Sequence, residues 1–234
     1  MPTSGKTAMK LSNKTHRLLL TLFLICPVFV HPALAQQAPG LTFDGLMAVE
    51  NAQGTTAYIN PEVDFSVYTR VMLLEPHVAF RSNWQRDQNR RRSRNINARD
   101  MERIRADTAS FFRQVFTQNL QMNDGYEVVD EVDYDVLILR PAIINLDITS
   151  PDVAASGRSP SYIASFGEAT LYIELFDAVS GQIIGRATDR QRAGGGAGMV
   201  SWNNRVTNRA EGRRIFNDWA QQLRAFLDQN YAIK

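Results

Sequence analysis

The stretch that most constrains this chain is Tyr134 to Thr149, YDVLILRPAIINLDIT. It is the longest apolar run outside the N-terminal segment. If the chain is extended, Val136, Ile138, Ala142, Ile144, Leu146 and Ile148 share one face, which only Arg140 breaks. The odd face is apolar at Leu137, Leu139 and Ile143, then polar at Asn145 and Asp147. The pattern predicts a strand buried on both faces early and on one face later. Unbroken, it would run roughly 50 Å against the usual ~20 Å. Pro141 has no N–H to donate, so it should mark a bend or a gap in pairing. The apolar parity continues across it, which argues against an inserted bulge residue there.

The flanking sequence reads as elements that pack on this strand. Val71 to Phe80 is predicted to be the first strand, with Pro76 limiting its pairing. Asn97 as cap and Asp100 three residues on mark a helix start, with Ile96 placed to staple onto Met101. Met101, Ile104, Thr108, Phe111, Phe112, Val115, Phe116 and Leu120 then recur at helical spacing. Asn123-Asp124-Gly125 stops that helix and leads into a short strand at Tyr126 to Val129. Residues 167–177 and 182–190 form a hairpin about Ala178 to Gly181. A last helix is expected near Asn208, with Glu211 completing a capping box. Its apolar face carries Ile215, Phe216, Trp219, Leu223, Phe226 and Leu227.

These elements predict an α+β fold. The expected form is a two-layer sandwich with a mostly antiparallel or mixed sheet of about five strands and two long helices on one face. Residues 36–66 are expected to form an extended N-terminal arm, and 67–234 a single α+β domain.

The first 35 residues read as a secretory signal peptide. Lys6, Lys10, Lys14 and Arg17 make a basic start, Leu18 to Val30 an apolar centre, and Ala33 and Ala35 the small residues of a cleavage site. Removing it lowers Lys+Arg from 26 to 22 against 24 Asp+Glu, so net charge moves from +2 to −2. The basic character belongs to the leader, and a nucleic-acid partner is not expected. Cys26 is the only cysteine. Ile25 before it and Val28 to Val30 after it argue against lipidation, so membrane attachment is expected only if Cys26 is lipidated. The mature chain would hold no cysteine and must rely on its apolar core in an oxidising compartment.

The chemistry this chain could carry is limited. His77 is the only histidine after residue 35, and no serine sits in a nucleophile elbow. The run Ala193 to Gly198 lacks the lysine and hydroxyl of a phosphate loop. Asp130, Glu131, Asp133 and Asp135 do not match a calcium loop in spacing. No catalytic residue, metal or cofactor is expected. The unusual segment is Arg81 to Arg99, with arginines at 81, 86, 90, 91, 92, 94 and 99 and one acid, Asp87. Arginine suits fork-like pairing with carboxylates or phosphates. Trp84 in its midst could stack on a ligand or partner. Arg86, Arg90, Arg91, Arg92, Arg94 and Trp84 are therefore the candidate partner-binding residues. A solvated loop leading into a helix is the plainer account of the same residues.

Three segments carry a family resemblance: YINPEVDFSVYTRVMLLEP (58–76), GEATLYIELFDAVSGQIIGRATDR (167–190) and VTNRAEGRRIFNDWAQQLRAFLD (206–228). In combination they resemble an uncharacterised bacterial envelope family, domain of unknown function 3313. The resemblance implies a secreted, often lipid-anchored protein with no established catalytic residues. Ile25-Cys26 and Ala33-Leu34-Ala35 depart from the anchored pattern. The expected function is that of a non-enzymatic periplasmic accessory protein binding an envelope protein or an anionic envelope ligand. The alternatives are a carboxylate- or metal-dependent hydrolase using residues such as Glu168 and Glu174, or a binder of anionic glycan or nucleic acid.

Overall fold

The computed structural model describes residues 41–49, 55–90, 95–148, 166–192 and 205–231. The leader with Ala33, Ala35 and Cys26, the arginines 91, 92 and 94, and the glycine run 193–198 lie outside the described residues.

Among the described residues, eight strands form one sheet: β1 (Met47–Val49), β2 (Thr56–Ile59), β3 (Arg70–Leu73), β4 (His77–Phe80), β5 (Glu127–Val128), β6 (Val136–Ile148), β7 (Phe166–Asp177) and β8 (Ile183–Arg192). Three helices accompany them: α1 (Trp84–Asn89), α2 (Ala98–Gln121) and α3 (Arg205–Tyr231). The order across the sheet is β1-β2-β8-β7-β6-β3-β5, and β4 also pairs with β6. β6 is antiparallel to β7 and parallel to β3 and β4, so the sheet is mixed. The fold is α+β, as expected, with a larger sheet than the five strands anticipated.

The extra strands have definite origins. The stretch read as one strand over 71–80 is two, β3 and β4, with Pro76 between them. β3 pairs with β6 as far as Leu139, and β4 resumes at Ala142. Pro141 sits in that gap, while its pairing opposite Ile173 of β7 runs on unbroken. β1 and β2 come from the segment expected to be an arm. They are only three and four residues long, and β2 is held by its register against Gly185 to Thr188 of β8.

β6 corrects the expected face assignment. Leu137, Leu139, Pro141 and Ile143 are buried on the odd row, then Leu146 and Ile148 are buried on the even one. Ile138, Ala142 and Ile144 are only partly buried, and Arg140 is exposed. The phase changes at Asn145, whose φ is 53°, and the pairing with β7 shifts between Ile144 and Asp147. Asparagine adopts the left-handed region more readily than other side-chain-bearing residues. One irregular residue thus turns the sequence's single apolar row into two half-rows facing the core.

The core lies between the helices and this face of the sheet. Phe111 and Phe112 of α2 meet Phe216 of α3 at ring-centroid distances of 5.6 and 5.3 Å. Leu171, Ile173 and Leu175 of β7 join the same buried cluster. The start of α2 is the expected one. Asn97 accepts from the Asp100 N–H at 3.0 Å, and Asp100 accepts from the Asn97 N–H at 3.1 Å. Its far end is closed by α3. Arg224 donates from Nη1 to the carbonyls of Leu120 and Met122 at 3.0 and 2.9 Å, satisfying acceptors left free at a helix C-terminus. Gly125 makes room for this contact, since a Cβ there would lie 2.2 Å from the Leu120 carbonyl oxygen. The start of α3 differs from expectation. The helix begins at Arg205, and Glu211 pairs with Arg214 one turn on instead of capping.

Candidate binding groove

The arginine-bearing segment folds against β4 and the first turns of α2. Arg81 continues the sheet, its N–H donating to the Leu146 carbonyl at 3.1 Å. Asn83, with φ of 62°, then turns the chain into α1. Trp84 follows, and here the structure corrects the sequence reading. Its side chain is 1% exposed, lies stacked on Phe80 at 4.3 Å, and donates from Nε1 to the Ile148 carbonyl at 3.0 Å. A tryptophan that buries its ring and satisfies its N–H internally anchors the core and offers no face to a ligand.

Arg81 is also structural. Its Nε donates to Asp147 at 2.7 Å and its Nη1 to Asp87 at 2.8 Å. Hydrogen bonding to Asp87 first, then Asp147, raises the Arg81 guanidinium above its ordinary value, and Arg81 holds the Asp87 carboxyl below its own. The segment's one acid is thereby engaged.

The remaining arginines behave differently. Arg86 and Arg90 are exposed on α1 and its C-terminal cap. Among the described residues neither makes an ion pair. A groove of about 860 Å³ runs between β4, α1 and α2, with Arg86, Arg105 and His77 among the residues that line it. The Arg105 guanidinium sits 5.5 Å from the Phe80 ring centroid and pairs with Glu102. The base of the segment is clamped by two side chains. Asn89 accepts from the Ile96 N–H at 2.7 Å and donates to the Ile96 carbonyl at 3.2 Å, and Gln85 donates to that same carbonyl at 2.8 Å. These bonds hold Ile96 against the end of α1.

Of the residues singled out in the sequence, Arg86 lines the groove, Arg90 is exposed at the cap of α1 and Trp84 is buried. Arg105 and His77, which belong to other elements, line the same groove and were not among them. The helical spacing of Met101 and Arg105 was a usable signal, because residues four apart share a helix face.

The carboxylates considered for hydrolysis are occupied. Glu174 accepts from Arg140 Nε at 2.7 Å, and Glu168 accepts from Arg190 and Arg192 at 2.6 and 2.7 Å. In the acidic turn, Asp133 and Asp135 both receive Arg70. No group of three potential metal ligands gathers among the described residues.

Comparison with known proteins agrees with the resemblance in the sequence. No curated protein matches the chain. Among solved structures, the PelC dodecamer from Paraburkholderia phytofirmans is 8% identical, with a TM-score of 0.28, covering 70% of this chain and 95% of that one. A DUF4136 family protein from Bacteroides thetaiotaomicron is 11% identical, with a TM-score of 0.29, covering 76% of this chain and 96% of that one. Neither likeness is close enough to carry an argument. The family match is extensive, running over residues 39–223 and so through the groove, the sheet and most of α3. The chain belongs to the DUF3313 family, described as protein of unknown function.

Proposed function

We propose that this is a non-enzymatic accessory protein of the cell envelope, exported to the periplasm, that binds an acidic partner through the arginine-bearing groove. One observation carries the reading: Arg86 on the groove wall and Arg90 at the C-terminal cap of α1 stand exposed with no ion pair among the described residues, while the segment's one acid is paired with Arg81. Exposed guanidiniums without internal acids favour carboxylate or phosphate groups on a partner, and their planar fork suits bidentate pairing.

The same feature makes the test clean. Replacing Arg86 and Arg90 by alanine breaks no internal salt bridge among the described residues, so the fold should survive. In a pull-down from periplasmic extract, the double variant should recover several-fold less partner than wild type. Wild-type recovery should itself fall as salt rises. Equal recovery from both proteins would remove the groove from consideration.

A further inference from the structure

A second cavity, separate from the groove, lies between the sheet and α3 and has a volume of about 110 Å³. Small residues on two paired strands create it. Ala57 of β2 stands opposite Ala187 of β8, and two residues along β8 lies Gly185, paired with Ile59 and also lining the cavity. Backbone conformation does not require glycine at 185. A Cβ there would meet the Tyr58 carbonyl oxygen at 3.4 Å and the Leu175 side chain at 3.7 Å, which are ordinary contacts. Phe116 of α2 and Trp219, Leu223 and Phe226 of α3 close the other side without filling the space.

The polar side chains on its wall already have partners. Thr55 donates to Gln222 Oε1 at 3.2 Å across the edge between β2 and α3. Asp189 accepts from Trp219 Nε1 and from Gln191, both at 2.8 Å. The Arg186 side chain is engaged by Asp44 at 2.7 Å. A charged ligand would give up its water here for groups that are already paired, whereas an apolar one would lose nothing. An apolar cavity of about 150 Å³ in another protein stays dry and takes up benzene, so the size is of the right order for one ring.

We infer that this cavity is a binding site for a small, uncharged hydrocarbon ligand about the size of a single aromatic ring. The polar edge at Thr55 and Gln222 marks its mouth, and Trp219 is its built-in reporter. The site depends on the small residues of β2 and β8, and it is independent of the arginine groove.

The test is the thermal midpoint of the full chain with and without benzene, with benzoate as the charged control. With benzene at about four times its Kd, Tm should rise by about 2–4 °C in a protein of this size. Benzoate at the same concentration should leave Tm unchanged. Ala187→Leu fills the space and should abolish the benzene shift. Should that variant fail to fold, Gly185→Ala, whose added methyl makes only ordinary contacts, should reduce it. The inference is overturned if wild type shows no benzene shift, if benzoate shifts Tm as much, or if neither filling variant diminishes the shift.

Discussion

Arg70 and Asp135 show how much one pair can set at this junction of the fold. Arg70 opens β3, and its guanidinium bonds Asp135 and Asp133 just ahead of the central strand. The Thr69 hydroxyl adds a further bond to Asp135. Donation from Arg70 first, then Thr69, holds the Asp135 carboxyl at about 2, well below its ordinary 3.8. A carboxylate with a depressed native pKa contributes stability above its unfolded value and loses that contribution as pH falls through the native one. Stability should therefore decline between about pH 4 and about pH 2. Asp135→Asn, which removes the titrating group, should flatten part of that decline in urea melts at stepwise lower pH. A slope identical to wild type would show that the pair contributes nothing to acid sensitivity. In the sequence Asp135 stands out only as one of four acids that do not match a calcium loop, because its partner lies 65 positions away on another strand. Charge-pair geometry of that range is invisible in a linear pattern.

Elements differ in legibility according to whether local chemistry or distant pairing defines them. The first residue of α2 could be read because Asn97 and Asp100 satisfy each other within one turn. β1 and β2 are three and four residues long and are held by pairing, β1 on β2 and β2 on β8. Such short stretches carry too little alternation to declare themselves. β6 lies between these extremes. Its existence and extent were plain and its even row is the buried one beyond Asn145 as read, but before it the odd row faces the core, because one left-handed residue reverses the period. That residue offers a direct test. Asn145→Val puts a β-branched side chain at positive φ and should cost about 1–2 kcal/mol. Asn145→Gly should be close to neutral. Chemical denaturation of both variants measures the difference, and equal costs would mean that the backbone at 145 relaxes at no expense.

For the molecule as a whole, the order of strands comes from long-range pairing. β6 sits between β7, its hairpin-like antiparallel neighbour, and β3 and β4, parallel partners that precede it by a long helix. Export is a property of the chain at this same scale. If the proposed processing takes place, intact mass of the protein purified from the periplasm should equal residues 36–234 with no lipid adduct. A larger mass would indicate retention of the leader or modification before that point. Sequence alone determined the α+β class, the span of α2, the central strand and the segment where arginines concentrate, because hydrophobic period, capping pairs and composition act over a few residues. Only the tertiary structure decided the eight-stranded order, the burial of Trp84, the reversal at Asn145 and the space left beside Gly185. Each of those depends on which distant side chains come to share one volume, and nothing local to the chain specifies that.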